Sequence, residues 1–291
     1  MKKLTYILVI FTLIFFVGLN YIYSPLMTIP TDNINGGEDK YLNIMTVNKS
    51  QYEMVKALTK DKHSIEYLAE NENEVNSFKV NDDIVKNISN MDLLIYNGLG
   101  YEKWIYELIN KSKSQSLGII NLSKGIRPLL KELSNNRQEN PYYLFGLNEY
   151  KIALYNIKIA LQEKDIKNRE YYEGSYNEKV KEIEELYKKA KEEISKYNNS
   201  TAVVDSDKLD YLFRDLNIKT IKVNENNSDE SFFDDLKSKE KIIYFHDKKE
   251  DKIDINKFKV ENFKYIELET EMSDQALKNN IKLIIETIKN N

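Results

Sequence analysis

From Tyr41 onward, short apolar runs alternate with stretches in which apolar residues recur every three or four positions. The short runs predict β-strands, and the longer-period stretches between them predict helices. The predicted strands are residues 42–47, 64–68, 93–96, 118–122, 202–205, 218–223, 241–245 and 264–268. Strands that alternate with helices in this way form parallel sheets with helices on their faces. The pattern therefore predicts an α/β fold of two lobes, each with a four-stranded parallel sheet.

The two halves of the pattern are separated by a mostly helical segment. Residues 148–164 are amphipathic, and an apolar stripe that runs from Tyr176 to Tyr197 predicts one long helix over about 176–197. Two lobes bridged by this helix would enclose a ligand cleft at the carboxyl ends of their strands. The expected organisation is an anchor and tether at 1–39, an N-terminal lobe at 40–145, a helical connection at 146–200 and a C-terminal lobe at 201–291.

The first residues predict export and attachment to a membrane. Lys2 and Lys3 precede an uncharged apolar segment, Leu4–Tyr23, which is long enough to span a bilayer as a helix. No small-residue cleavage site follows it, which favours an uncleaved signal anchor on the outer face of the cytoplasmic membrane. A cleaved signal with an atypical site, and hence a secreted protein, is the alternative. A lipid attachment motif is excluded because the chain has no Cys.

Composition excludes several functional classes. The formal net charge of −4 argues against a nucleic-acid-binding protein. The only histidines are His63, expected in an exposed charged turn, and His246, expected at a strand end beside the cleft. Gly98 and Gly100 form a G-x-G pattern, but Lys103 replaces the third glycine of the dinucleotide fingerprint, so nucleotide binding is not expected. No pair of residues suited to acid/base catalysis is visible, which favours a binding protein over an enzyme.

One segment identifies a family resemblance. MDLLIYNGLGYEKWI (91–105) closely resembles a segment of the zinc/manganese solute-binding proteins of bacterial ABC importers. Residues 46–68 and 160–183 resemble further parts of that family in the same order. The resemblance implies two α/β lobes joined by a long helix, and a monomer that captures a transported divalent metal ion in its cleft and presents it to an ABC permease. It implies no resident cofactor.

The family's metal ligands, mostly histidines, are largely replaced here. The matched positions in this chain are Asn76 (or Val75), Tyr142, Ser206 and Glu271 (or Glu269). Zn²⁺ is best held by imidazole, thiolate and carboxylate ligands, so these positions form only a weak oxygen site. We therefore expect no high-affinity transition-metal site.

A remodelled metal site is the alternative to its loss. Asp205 and Asp207 flank Ser206 and would favour a harder ion such as Mn²⁺, Mg²⁺ or Ca²⁺. His246 could supply one nitrogen ligand. A degenerate family member that binds a non-metal ligand, or a protein partner at the cell surface, would need none of these residues as metal ligands.

Overall fold

The computed structural model describes residues 40–112, 114–131, 138–197, 200–223, 234, 236, 239, 241–249 and 263–290. The predicted anchor and tether lie outside these residues. Within the described part of the chain, no helix is both long and apolar enough to cross a membrane.

The N-terminal lobe is built on a four-stranded parallel sheet with strand order β2-β1-β3-β4. Its strands are β1 Asn43–Asn48, β2 Ser64–Ala69, β3 Leu93–Tyr96 and β4 Gly118–Asn121. Its helices are α1 Lys49–Thr59, α2 Glu72–Ser77, α3 Asp82–Ser89 and α4 Ile105–Ser112. The short helix α2 was not predicted, because Val75 is its only buried residue and six residues carry no helical period. Asn71 caps it by accepting a hydrogen bond from the Glu74 N–H at 3.1 Å.

The C-terminal lobe repeats the arrangement, with strand order β6-β5-β7-β8 and parallel pairing throughout. Its strands are β5 Thr201–Val204, β6 Thr220–Lys222, β7 Ile242–Asp247 and β8 Phe263–Leu268. The α/β prediction of two four-stranded parallel sheets is confirmed. At most strand ends, the observed bound differs from the predicted one by one or two residues. Central strands β3 and β7 are buried along their whole length, which is why β3 and residues Ile242–Phe245 of β7 appear in the sequence as unbroken apolar runs.

Four further helices have both ends within the described residues: α5 Leu147–Lys164, α6 Arg169–Ile194, α7 Asp210–Asp215 and α8 Asp274–Lys289. The bridging helix α6 packs against α1 of the N-terminal lobe and α8 of the C-terminal lobe. It begins at Arg169 rather than near residue 176, because Tyr172 and Ser175 extend its buried face through a segment that looks polar in sequence. A 3₁₀ turn, Ser195–Tyr197, follows it.

The predicted exposure of His63 is wrong. Its side chain is buried, and its Nδ1 accepts a hydrogen bond from the Leu42 N–H at 3.4 Å. The opposite nitrogen, Nε2, therefore carries the proton and donates to the Tyr172 hydroxyl at 2.6 Å, and that hydroxyl donates to Asp165. Burial lowers the pKa of His63, although the Asp165 carboxylate opposes the shift. This neutral histidine links the first lobe to the start of α6.

Candidate functional site

A cleft of about 560 Å³ lies at the carboxyl ends of the strands of both lobes. The loop after β2 and helix α2 supply Glu72 and Asn76, and the segment before α5 supplies Tyr142. The loops after β5 and β7 supply Ser206, Lys208 and Lys249, among others. This is the edge at which open α/β sheets bind ligands, because every parallel strand delivers its following loop there.

The four positions matched to the family's ligands lie at or beside this cleft. Asn76, Tyr142 and Ser206 line it. Glu271 accepts a hydrogen bond from the Glu72 N–H at 3.3 Å and forms an ion pair with Lys249, and both of these partners line the cleft. That these residues do not bind a transition metal with high affinity stays a prediction.

The alternative positions lie elsewhere. The carbonyl of Val75 accepts a hydrogen bond from Trp104 Nε1 at 2.7 Å, and the side chain is buried in the core. Glu269 accepts a hydrogen bond from Asn279 of α8 at 3.1 Å. Neither of these residues lines the described cleft.

The expected substitute ligands are already hydrogen-bonded. Asp205 lines the cleft, and its carboxylate accepts hydrogen bonds from the Tyr244 hydroxyl and the Asp247 N–H, both at 3.0 Å. It also accepts one from Nδ1 of the buried His246, whose Nε2 has no partner among the described residues. Asp207 forms an ion pair with Lys222. The imidazole of His246 thus reaches the cleft only through Asp205.

A set of charged residues that sequence reasoning missed dominates the cleft. Lys208 Nζ lies 3.5 Å from Glu72 Oε2 and 3.1 Å from Asp247 Oδ2. Lys249 Nζ lies 4.0 Å from Glu72 Oε2 and pairs closely with Glu271. The signal that could have revealed these residues is their position just after predicted strands, where side chains converge in a parallel fold.

Asp247 is the most enclosed carboxylate of this set, with a side chain that is 0% exposed. It accepts hydrogen bonds from the Thr270 hydroxyl at 2.6 Å, the Lys249 N–H at 2.9 Å and the Ser206 hydroxyl at 3.3 Å. A buried carboxylate needs such donors and an opposite charge, and Lys208 supplies the charge.

Tyr142 acts as a hydrogen-bond donor in the cleft. Its hydroxyl donates to Glu72, and burial, followed by the negative charge of Glu72, raises the pKa of Tyr142 well above its usual value. The side chain is therefore a neutral phenol that donates to Glu72.

The donor set does not fit a transition-metal ion. Among the residues that the structure describes, no group of three or more His, Cys, Asp or Glu side chains is arranged to hold a metal. The carboxylates of Glu72 and Glu271 pair with lysine ammonium groups, and the carboxylate of Asp205 is bonded to the single nearby imidazole. Tetrahedral zinc sites instead gather three or four nitrogen, sulfur or carboxylate ligands.

The G-x-G loop after β3 is not a phosphate-binding loop, because backbone N–H groups that would bind a phosphate already donate to a side chain of the same segment. The buried carboxylate of Glu102 accepts hydrogen bonds from the N–H groups of Asn97 at 2.6 Å and Gly98 at 3.0 Å. Tyr143 donates its hydroxyl to the Asn97 carbonyl at 2.7 Å. The segment that carries the family resemblance therefore joins the sheet of the first lobe to the segment bearing Tyr142.

Comparison with known proteins agrees with this architecture. Residues 44–254 match the family described as "Zinc-uptake complex component A periplasmic". The chain is 28% identical over 205 residues to the metal ABC transporter substrate-binding lipoprotein ScbA of Streptococcus cristatus, across 68% of this chain and 63% of that one. It is 30% identical over 159 residues to the iron ABC transporter substrate-binding lipoprotein MtsA of Streptococcus pyogenes serotype M1, across 52% of this chain and 50% of that one.

Solved structures show the same fold. The periplasmic metal-binding protein of Candidatus Liberibacter asiaticus superposes with a TM-score of 0.70 at 22% identity, across 86% of this chain and 100% of that one. A structure of ZnuA gives 0.69 at 18% identity, across 86% of this chain and 99% of that one. The chain spans about half to 63% of the length of the curated relatives it matches. Because the family match covers most of the sequence, this chain belongs to the periplasmic zinc-uptake component A family.

Proposed function

We propose that this protein is the extracytoplasmic solute-binding component of an ABC importer, which captures a ligand between its lobes and presents it to a permease. The observation that carries the proposal is the meeting of charged groups from both lobes in one cleft, Glu72 from the first and Lys208 and Lys249 from the second. Family membership and the names of the relatives, which are substrate-binding lipoproteins of metal transporters, support it. The role is binding rather than catalysis.

The ligand chemistry departs from that of the relatives. Their names specify a metal, manganese or iron, whereas the cleft of this chain pairs its carboxylates with lysines. We propose that the protein does not hold Zn²⁺ with the affinity of a multi-histidine site. The alternative ligand is a harder divalent ion such as Mn²⁺, which would have to displace the two lysines from the carboxylates of Glu72, Asp247 and Glu271.

Transport can be tested by reconstitution. The full-length protein would be placed in liposomes with the metal-type ABC permease and ATPase from the same genome, and ATP hydrolysis and crosslinking to the permease would be measured. We expect both a crosslink and a stimulated ATPase, and neither with an unrelated sugar permease as control. Absence of both with every metal-type permease of the genome would refute the importer role.

We further propose that the protein acts outside the cytoplasmic membrane, tethered by the apolar segment Leu4–Tyr23. The relatives are named lipoproteins, but this sequence contains no Cys to carry a lipid. Cell fractionation should recover the protein with membranes, accessible to added protease, and mass spectrometry should find the N-terminal segment intact. Recovery from the medium without that segment would show cleavage and secretion instead.

A further inference from the structure

Lys208 connects the two lobes through carboxylates that belong to different halves of the fold. Its ammonium group lies 3.5 Å from Glu72 of the first lobe and 3.1 Å from Asp247 of the second. The exposed fractions of the three side chains are 14%, 12% and 0% in the order Lys208, Glu72, Asp247. The three charges are thus largely removed from water.

Contacts with neighbouring residues fix the position of Lys208. Its backbone N–H donates to the Ser206 hydroxyl at 3.2 Å, and that hydroxyl donates to Asp247 at 3.3 Å. Its ammonium group lies 5.5 Å from the centre of the Tyr142 ring, within cation–π range. Tyr142 in turn donates to Glu72. Both the carboxylates and the ring therefore hold the ammonium group at one point between the lobes.

An ammonium group at this point can take the place of a bound metal cation between the carboxylates. It carries positive charge and three N–H donors, so it can bond to carboxylates from two sides at once. Lys249 adds a second ammonium group beside Glu72 and Glu271. The carboxylates of Glu72, Asp247 and Glu271 are then paired with two ammonium groups. Little negative charge is left for an incoming divalent ion to neutralise.

We propose that the ammonium group of Lys208 is a resident cation of this cleft, which ties Glu72 to Asp247 across the lobes and excludes free divalent ions from that position. This inference rests on the proposed function, because it assigns the specificity of the same cleft. Lys208 is a specificity-determining residue, because its positive charge disfavours a divalent cation as the ligand at that position.

The test removes the charge of Lys208 and keeps its unbranched stem. Full-length wild type, Lys208→Met and the control Lys151→Met would be treated with chelator, and their melting temperatures would be measured with and without millimolar Mn²⁺. Lys151 pairs with Glu184 outside the cleft lining, and its replacement removes a more exposed ion pair, with exposed fractions of 29% and 47%. We expect the melting temperature of Lys208→Met to fall by several degrees and to recover with Mn²⁺, because the enclosed Asp247 then loses the counter-charge of Lys208 and Glu72 keeps only the more distant Lys249, at 4.0 Å. Wild type and Lys151→Met should not respond to Mn²⁺.

Two results would overturn the proposal: a Mn²⁺ response of Lys208→Met no larger than that of Lys151→Met, or a clear response in wild type itself. If Lys208→Met does not fold even with Mn²⁺, Lys208→Gln, whose amide still donates to one carboxylate, is interpreted by the same criteria. The double variant Glu72→Gln, Lys208→Met should lose most of the Mn²⁺ response. The reconstitution experiment uses wild type and measures permease contact, so its outcome is independent of the melting-temperature experiment. If reconstitution fails but Mn²⁺ raises the melting temperature of Lys208→Met, the importer role is refuted and the resident cation remains supported.

Discussion

The carboxylate of Glu102 accepts a hydrogen bond from the backbone N–H of Gly98 at 3.0 Å, in the loop that follows the buried strand β3. The same carboxylate accepts bonds from the Asn97 N–H at 2.6 Å and from Gln51 Nε2 at 3.2 Å. Burial raises the pKa of Glu102 to about 7, against the opposing effect of these donors. A buried acid thus organises the segment that most clearly marks the family.

Glu102 should make stability depend on pH between about 4.5 and 7. The native state binds this proton more tightly than the unfolded chain, so the contribution is present below the unfolded pKa and is lost as pH rises through about 7. The loss is on the order of 3 kcal/mol. Urea unfolding at pH 5 and pH 8 should show wild type losing more stability than Glu102→Gln. His63 is present in both proteins, so its own titration cancels in the comparison.

The exposed Glu107→Gln variant serves as the control for Glu102, because the carboxylate of Glu107 lies on the surface of α4, where it pairs with Lys111. Its pH profile should follow that of wild type. Identical pH profiles for wild type and Glu102→Gln would show that Glu102 does not titrate in this window.

Gly98→Ala should destabilise the protein more than Gly100→Ala. Both glycines have positive φ, +83° and +72°, which costs an alanine about 1–2 kcal/mol. A Cβ on Gly98 would also lie 2.2 Å from Asn121 Oδ1, whereas a Cβ on Gly100 meets nothing within 4 Å. Gly174→Ala, inside α6 with open space around it, should stabilise by about 0.5–1 kcal/mol. Thermal unfolding of the three variants tests this order, and equal losses for Gly98 and Gly100 would contradict it.

Tyr172→Phe should cost about 1–3 kcal/mol, because it leaves buried polar groups of His63 and Asp165 without the hydroxyl that joins them. Tyr171→Phe is the matched control, since its hydroxyl makes only a long contact of 3.5 Å with the Thr59 carbonyl. Chemical denaturation of both variants would measure the difference. A Tyr172→Phe loss no larger than that of Tyr171→Phe would mean that the buried chain of hydrogen bonds adds nothing to stability.

Micromolar Zn²⁺ or Mn²⁺ should leave the melting temperature of chelator-treated wild type nearly unchanged. A metal at a hundredfold excess over its Kd would stabilise the native state by about 2.7 kcal/mol, which is several degrees for a chain of this size. Calorimetric scans with and without metal make the measurement. A shift of several degrees that Glu271→Ala or His246→Ala abolishes would show instead that the metal site has been rebuilt.

Much of the fold was predictable because its signals are local. The unbroken apolar runs of β3 and β7 indicate strands buried on both faces, and their alternation with helices indicates parallel sheets. The start of α6 was missed because its first turns are polar in sequence, and the burial of Tyr172 there depends in part on a contact with His63, which is far away in the chain. The burial of His63 was missed for the same reason.

The sequence by itself determined the two-lobed α/β architecture and the region in which the cleft forms, and it predicted the loss of the family's histidine ligands. Only the tertiary structure decided which charged side chains meet in that cleft. Glu72, Lys208 and Asp247 lie in separate segments with no shared motif, and their charges meet because parallel strands of both lobes end at the same cleft. Periodicity records which face of an element is buried, whereas the pairing of enclosed charges depends on distances across the fold that no local pattern contains.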